Sequence, residues 1–223
     1  MKTGLVLGLD GAGKTMLLRQ LSRVCKDDQH PKLGSVFATL RSRLFATEAK
    51  VSDTEAPPEY ATVPTTGVEE ETLTYHNLTF TLREVGAPML SMWKSYFSAS
   101  DFFIFVVDAT NLPQLAAAAI EFFNVLQAPP MQSKPGFLLL NKMDMPCTVS
   151  TPWLRSLFCL DQLCATTNLQ VIQVSAVSGL HLDSLLQALT TKLSPPRYSH
   201  RLSALRDPST NRIHPTTTAP SHA

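Results

Sequence analysis

The chain has 223 residues, a formal net charge of +1 at neutral pH and a hydrophobic content of 44%. This length suits one domain with its own core, and the near-neutral charge gives no indication of nucleic-acid binding. Its four cysteines form no C-x-x-C pair, which argues against a zinc site and favours reduced thiols in the cytoplasm. No apolar run approaches the roughly 20 residues of a membrane-spanning helix, and no signal peptide precedes the first apolar strand.

Short apolar runs alternate with stretches of helical periodicity along the chain. The apolar runs, at 5–7, 102–107, 137–140 and 171–174, resemble buried parallel strands, and the helical stretches lie near 14–24, 112–127, 151–163 and 181–192. Residues 68–85 alternate around His76-Asn77, which predicts a hairpin. We therefore expect an α/β fold, with a mostly parallel six-stranded sheet, one antiparallel strand from the hairpin, and helices on both faces.

Two segments fall outside this alternation. Residues 26–60 are long for a connection and mixed in charge, although the apolar side chains between Val36 and Phe45 share one helical face. Residues 194–223 are rich in Pro, Ser, Thr and His, with too few large apolar side chains to offset the entropy of ordering. We expect a nucleotide-binding domain over residues 1–193 with an insert at about 26–60, followed by a disordered tail. A basic lipid anchor is the less favoured alternative for the tail, because its arginines are scattered.

The sequence GLDGAGKT, residues 8–15, fits the G-x-x-x-x-G-K-[ST] phosphate loop. Glycines let backbone N–H groups turn toward phosphate oxygens, Lys14 reaches the β- and γ-phosphates, and the Thr15 hydroxyl ligates Mg²⁺. The loop follows a predicted strand and opens a predicted helix, which is the context that the motif requires. The sequence therefore predicts a site for a nucleotide and Mg²⁺.

The sequence NKMD, from Asn141 to Asp144, follows a buried predicted strand. The Asp144 carboxylate can accept hydrogen bonds from guanine N1–H and N2–H₂, a donor pair that adenine lacks at that edge. Asn141 is expected to tie this loop to the phosphate loop, and the Lys142 stem to pack along the nucleotide. Ser175 and Ala176 follow the last predicted strand, where the Ala176 N–H is placed to donate to guanine O6. These residues predict GTP and GDP as ligands.

The sequences GLDGAGKT, TVPTTG (62–67) and MWKSYF (92–97) resemble the ADP-ribosylation factor branch of small GTPases, over about residues 4–193. The resemblance implies the P-loop small-GTPase fold and a switch in which two loops are held by the γ-phosphate and Mg²⁺. TVPTTG corresponds to the first switch, and MWKSYF to the end of the second switch. The residues expected to bind the nucleotide are Gly8, Asp10, Gly11, Ala12, Gly13, Lys14, Thr15, Thr65, Gly86, Ala87, Asn141, Lys142, Asp144, Ser175 and Ala176. Those expected to hold the metal are Thr15, Thr65 and Glu84.

The resemblance also implies partners. Effectors are expected to read both switches and the hairpin between them, in membrane or ciliary trafficking, with an exchange factor and an activating protein. Family members carry a myristoylated glycine after the initiator methionine, whereas this chain has Lys2 and no preceding amphipathic helix. We expect no myristoyl anchor and at most a peripheral contact with membranes.

The clearest departure from the family lies at residues 84–88. The family sequence Asp-x-Gly-Gly-Gln is replaced by Glu84-Val85-Gly86-Ala87-Pro88. Glu84 keeps a carboxylate on a longer side chain. The N–H of Ala87 stands where the γ-phosphate is sensed, and Pro88 is expected to push Ala87 toward extended geometry. Pro88 also replaces the glutamine that orients the attacking water.

Three functions stay open at this point. The favoured one is a switch whose hydrolysis is weak or depends on a partner. A GTP-loaded interaction module without hydrolysis is the main alternative, and a P-loop ATPase or kinase is the less favoured one, because Asp144 argues against adenine.

Some side chains near the switches have two interpretations. Trp93, Tyr96 and Phe97 form either an effector surface or a packing contact with the sheet. Arg83 is expected to point to solvent rather than to act as an arginine finger, and Asp108 is expected to be structural, capping the next helix.

Overall fold

The computed structural model describes residues 1–29, 65–146 and 149–194. Within these ranges the strands are β1 (Lys2–Leu7), β2 (Val68–Tyr75), β3 (Leu78–Val85), β4 (Phe102–Asp108), β5 (Gly136–Asn141) and β6 (Leu169–Gln173). The α-helices are α1 (Lys14–Gln29), α2 (Trp93–Phe97), α3 (Leu112–Gln127), α4 (Thr151–Leu157), α5 (Leu160–Thr166) and α6 (Leu182–Leu193), and short 3-10 helices span Ala87–Met92 and Pro129–Met131. None of the described helices is long and apolar enough to cross a membrane.

The strands form one six-stranded sheet in the order β2-β3-β1-β4-β5-β6. Only β2 runs antiparallel, paired with β3 through the predicted hairpin, and the other neighbouring strands are parallel. The carboxyl ends of the parallel strands therefore meet at one edge. Because the phosphate loop follows β1 and the NKMD sequence follows β5, the topology brings these motifs together at that edge.

Apolar side chains cover both faces of the sheet. On one face α1 and α6 pack over Phe80, Phe102 and Phe137; on the other, α2, α3, α4 and α5 pack around Phe105 and Phe122. Each fully buried aromatic ring contributes about 1.5–3 kcal/mol by transfer from water, so the two cores hold the loops at the carboxyl edge on a rigid support.

The expected α/β fold with helices on both faces is confirmed, with a few changes at the element ends. The helix expected over 151–163 is two helices, because Cys159 adopts a left-handed conformation (φ 49°) that ends α4 before α5 begins. Strand β6 starts two residues before the predicted run. The expected helix between Val36 and Phe45 and the tail from residue 195 onward lie outside the described residues.

Candidate nucleotide-binding site

The phosphate loop connects β1 to α1 in a conformation that needs glycine. Gly13 has a φ of 91°, and a Cβ atom there would lie 2.5 Å from Nδ2 of Asn141. The Lys14 ammonium reaches back into the loop and donates to the carbonyl oxygens of Gly8 (2.9 Å) and Leu9 (3.1 Å). The loop thus holds its cation in place on the side where phosphate is expected.

The Lys14 ammonium is buried, with 5% of the residue exposed. Burial lowers the pKa of Lys14, and the carboxylates of Glu84 and Asp10 only partly oppose this shift. In the described part of the chain no carboxylate lies within ion-pair distance of the ammonium. A buried cation without a paired anion is a site for a ligand with negative charge.

Three oxygen-bearing side chains converge beside Lys14. The Thr15 hydroxyl donates to Oε1 of Glu84 at 2.9 Å, and its oxygen lies 3.1 Å from the hydroxyl of Thr65, fifty residues away in sequence. Glu84 is only 1% exposed, and its Oε2 has no hydrogen-bond partner among the described residues. Burial raises the pKa of Glu84, while the hydrogen bond from Thr15 and the charge of Lys14 oppose the rise. Clustered hydroxyl and carboxylate oxygens, one of them orphaned, fit a hard divalent cation such as Mg²⁺.

Gly86 fastens the second switch to the first. Its N–H donates to the Gly67 carbonyl (3.0 Å), and its carbonyl accepts from the Trp93 indole N–H (3.3 Å). A Cβ atom at Gly86 would lie 1.8 Å from the carbonyl oxygen of Thr65. Only glycine allows this approach of the two switch segments.

The extended geometry expected at Ala87 is wrong, because Ala87 begins a helical segment that reaches Met92 with a kink at Met89. The Met89 N–H closes its first turn on the Gly86 carbonyl at 3.0 Å, and a proline in the first turn is compatible with a helix. Within residues 65–146 and the other described ranges, the Ala87 N–H has no hydrogen-bond partner. The backbone donor is therefore available beside the cluster, whereas exposed Pro88 supplies no side-chain amide.

Asn141 links the base loop to the phosphate loop, as predicted. Its Nδ2 donates to the Ala12 carbonyl at 2.8 Å, and its Oδ1 accepts from the Ala176 N–H at 2.9 Å. That second bond corrects the expectation for Ala176, whose N–H is directed to Asn141 rather than to a guanine oxygen. The reason is burial: Asn141 is 1% exposed, and a buried amide needs partners for both its donor and its acceptor.

Asp144 is held in place by the segment after β6. Its Oδ1 accepts from the Ser175 hydroxyl at 2.6 Å, and the Ser175 oxygen accepts in turn from the Ser178 N–H at 3.0 Å. Ser175 is fully buried, so it fixes the orientation of the exposed Asp144 carboxylate. A pocket of about 250 Å³ opens between the loops and is lined by Gly11, Gly13, Met16, Asn141, Lys142, Asp144, Met145, Ala176 and Val177.

The expected cap at Asp108 is wrong. Helix α3 follows Asn111 without a side-chain cap. The Asp108 carboxylate instead accepts from the N–H and the hydroxyl of Thr110 (2.9 and 2.6 Å) and pairs with the Lys142 ammonium at 2.7 Å.

The sequence analysis did not predict the contact between Asp108 and Lys142, nor that of Gln114, whose amide donates to the Asp10 carbonyl at 3.1 Å. The available signal was their position in the chain: Asp108 ends β4, and Gln114 lies in the first turn of α3.

The aromatic residues at the end of the second switch mainly pack against the sheet. Trp93 and Phe97 are buried at 2% and 3% exposure, and Trp93 meets Phe105 edge-on at 6.2 Å, which favours packing over an exposed effector surface for these two. The Arg83 guanidinium lies 5.7 Å from the ring centre of half-buried Tyr96 and pairs with Glu70 at 2.6 Å. Arg83 therefore links the hairpin to α2, and the expectation that it simply points to solvent is wrong.

Comparisons with known proteins identify the family of this chain. Residues 50–193 match the model of the ADP-ribosylation factor family. The chain is 30% identical over 184 residues to ADP-ribosylation factor-like protein 16 of Homo sapiens, covering 82% of this chain and 81% of that protein. It is 30% identical over 186 residues to ADP-ribosylation factor-like protein 4D of Homo sapiens, with coverages of 82% and 79%.

A solved structure shows the same fold. The small GTPase Arl6 BBS3 of Trypanosoma brucei, with the bound nucleotide analogue GppNp, superposes with a TM-score of 0.61 at 20% identity, over 86% of this chain and 99% of that one. Together with the family match and the two relatives, this fold leads to one conclusion. The chain belongs to the ADP-ribosylation factor family of small GTP-binding proteins.

Proposed function

We propose that this protein is a guanine-nucleotide switch that binds GTP and GDP together with Mg²⁺. The observation that carries the proposal is the cluster of Thr15, Thr65 and Glu84 beside buried Lys14. The cluster has an orphaned carboxylate oxygen and a cation without a paired anion. A nucleotide phosphate would compensate the cation, and Mg²⁺ would compensate the carboxylate.

Each group has a distinct task in this proposal. Lys14 and the backbone of the phosphate loop bind the β- and γ-phosphates, and Thr15, Thr65 and Glu84 hold the ion. Asp144, oriented by Ser175, accepts from guanine N1–H and N2–H₂. A bound Mg²⁺ would neutralise part of the negative charge of the phosphates. Because Thr65 lies in the first switch and Ala87 in the second, a γ-phosphate would order both segments at once.

Hydrolysis depends on what replaces the missing amide at residue 88. Related GTPases that possess a water-positioning glutamine turn over at only about 10⁻⁴ s⁻¹ unaided, and exposed Pro88 cannot orient water. We therefore propose that hydrolysis needs a partner that supplies the positioning group. The same substitution favours the second candidate, a GTP-loaded interaction module that does not hydrolyse.

The wider role follows from the family. We propose a cytoplasmic protein with effectors that bind the two switches and the β2–β3 hairpin, an exchange factor and an activating protein, acting in membrane or ciliary trafficking. The exposed side chains of Leu90 and Met92 give the second switch an apolar surface suited to a protein partner.

The experiment follows the bound nucleotide. Purified protein is loaded with GTP and Mg²⁺, and the retained nucleotide is chromatographed over several hours, alone and with cell lysate. We expect GTP to persist alone and to become GDP with lysate, whereas GTP intact in both would favour the interaction module. Thr15→Asn should lose Mg²⁺-dependent retention, while Thr166→Asn, on the exposed surface of α5, should retain it. Wild-type protein that retains no guanine nucleotide would overturn the proposal.

A further inference from the structure

The turn between β4 and α3 touches both halves of the nucleotide site. At the end of the sheet Asp108 pairs in register with Asn141 of β5, and the Ala109 N–H donates to the Asn141 carbonyl at 3.1 Å. In the first turn of α3, the Gln114 amide donates to the Asp10 carbonyl of the phosphate loop at 3.1 Å. The turn and the start of α3 together therefore form a second link between the base loop and the phosphate loop, beside the direct link through Asn141.

The Asp108 carboxylate is the most heavily bonded group of this turn. It is 7% exposed, with Oδ1 accepting from the Thr110 N–H and hydroxyl, and Oδ2 facing the Lys142 ammonium. Burial alone would raise the pKa of Asp108, but the hydrogen bonds from Lys142 and Thr110 outweigh it, and the pKa lies below its ordinary value. The carboxylate is thus a fixed negative charge at neutral pH, locked in direction by Thr110.

A fixed negative charge beside Lys142 restrains its side chain. Its φ of 67° is a left-handed conformation that L side chains other than Asn and Asp adopt rarely, and 31% of its side chain is exposed. An unrestrained lysine side chain samples many rotamers. Its ammonium lies 2.7 Å from the Asp108 carboxylate, and Lys142 lines the same pocket as Asp144.

We propose that Asp108 is a positioning residue for the bound nucleotide, acting through Lys142. By anchoring the ammonium, Asp108 keeps the Lys142 stem as one wall of the base pocket and slows nucleotide release. This inference rests on the proposed guanine-nucleotide site and adds a residue outside the nucleotide-binding motifs. The exposed pair of Arg155 and Asp161 also joins a cation to an aspartate carboxylate but is absent from the lining of the pocket, so it serves as a comparison pair.

The test is a double-mutant cycle on the release rate of a fluorescent GDP analogue from the full-length protein. Asp108→Asn keeps the shape of the side chain and removes its charge, and Lys142→Met keeps the stem and removes the ammonium. We expect each single variant to release the analogue about tenfold faster than wild type, a factor that corresponds to about 1.4 kcal/mol. Because the two residues act as a unit, the double variant should release it no faster than the faster single variant.

Control variants separate positioning from loss of structure. Asp161→Asn should release the analogue at the wild-type rate. Thr110→Val removes one donor that locks Asp108 and should accelerate release in the same direction by a smaller factor, which keeps the proposal testable if Asp108→Asn does not fold. The thermal unfolding midpoint of each nucleotide-loaded variant is measured alongside its release rate, to show whether the variant is folded.

Two results would overturn the inference. One is a wild-type release rate in folded Asp108→Asn and Thr110→Val, whatever their thermal stability. The other is multiplication of the two single effects in the double variant, which would mean that Asp108 does not act through Lys142. Both are distinct from failure of the proposed function, in which wild-type protein itself binds no GDP analogue.

Discussion

The base-binding half and the phosphate-binding half of the site differ in how completely they are hydrogen-bonded. Around the base pocket, Asn141, Asp144 and Asp108 all have partners within the protein, at 2.6–2.9 Å. On the phosphate side, Oε2 of Glu84 is orphaned among the described residues, and Lys14 has no carboxylate at ion-pair distance in the same part of the chain.

This difference shows which half is preformed. The base pocket has its polar groups in place before a ligand arrives, so binding there costs little ordering. The phosphate side keeps a buried cation and a buried carboxylate oxygen that a nucleotide and Mg²⁺ would compensate, and a ligand that binds the folded state alone stabilises it. A preformed base pocket beside an incomplete phosphate side suits a switch. The base pocket recognises the base, and the phosphate side responds to the presence or absence of the γ-phosphate.

The largest expected effect is on guanine recognition in the base pocket. Asp144→Asn should weaken GDP binding by about 100-fold or more, because two charge-assisted hydrogen bonds to guanine are lost. Competition titration with GDP and ADP measures the change, and Asp161→Asn on the exposed surface is the control. Unchanged affinity for GDP would show that Asp144 does not read the base.

The next largest effect concerns the contact between Gly86 of the second switch and Thr65 of the first. Gly86→Ala forces a Cβ atom against the Thr65 carbonyl, 1.8 Å away, and should lower the free energy of unfolding by about 1–3 kcal/mol. Denaturant unfolding with and without Mg²⁺·GTP measures it, and Mg²⁺ should also protect this variant less than wild type. At Gly67 a Cβ atom would meet nothing within 4 Å, so Gly67→Ala should unfold like wild type. Equal behaviour of the two variants would contradict the close approach seen here.

A smaller effect concerns the orphaned carboxylate. Since burial raises the pKa of Glu84, the native state binds the proton more tightly than the unfolded state. The stability of protein without nucleotide and Mg²⁺ should therefore fall as pH rises from the ordinary glutamate pKa through the raised one. Glu84→Gln should remove this fall and stabilise the nucleotide-free protein at neutral pH by about 1 kcal/mol.

Unfolding curves across pH, recorded with EDTA and again with Mg²⁺·GTP, test this prediction. With Mg²⁺·GTP the order should reverse, because the neutral amide is the poorer ligand for the ion. If Glu84→Gln were less stable than wild type under both conditions, the carboxylate would have a structural partner and no role with the metal.

The smallest expected effect is on hydrolysis. Pro88→Gln restores a side-chain amide next to the available N–H of Ala87, and should raise single-turnover GTP hydrolysis by about three- to tenfold. Pro130→Gln, also at an exposed proline in a 3-10 helix but outside the lining of the nucleotide pocket, is the matched control. The absence of any gain would point to the backbone of the second switch, rather than to the missing amide, as the cause of slow turnover.

Much of the fold could be predicted because local patterns carry it. The central parallel strands are short apolar runs of the length typical of buried strands. Apolar and polar residues alternate on either side of His76-Asn77 in the hairpin, so periodicity alone indicates both features. Departures were local too: Cys159 divides a predicted helix through one left-handed residue, and Ala87 starts a helix although it precedes proline.

The sequence by itself determined the nucleotide motifs and their chemistry, because the phosphate loop and the NKMD sequence are contiguous in the chain. Only the tertiary structure decided which side chains meet. The contacts of Lys142 with Asp108 and of Ala176 with Asn141 join segments more than thirty residues apart. They depend on strand order and register, which place loop ends side by side, and on burial, which requires each polar group enclosed there to find a partner.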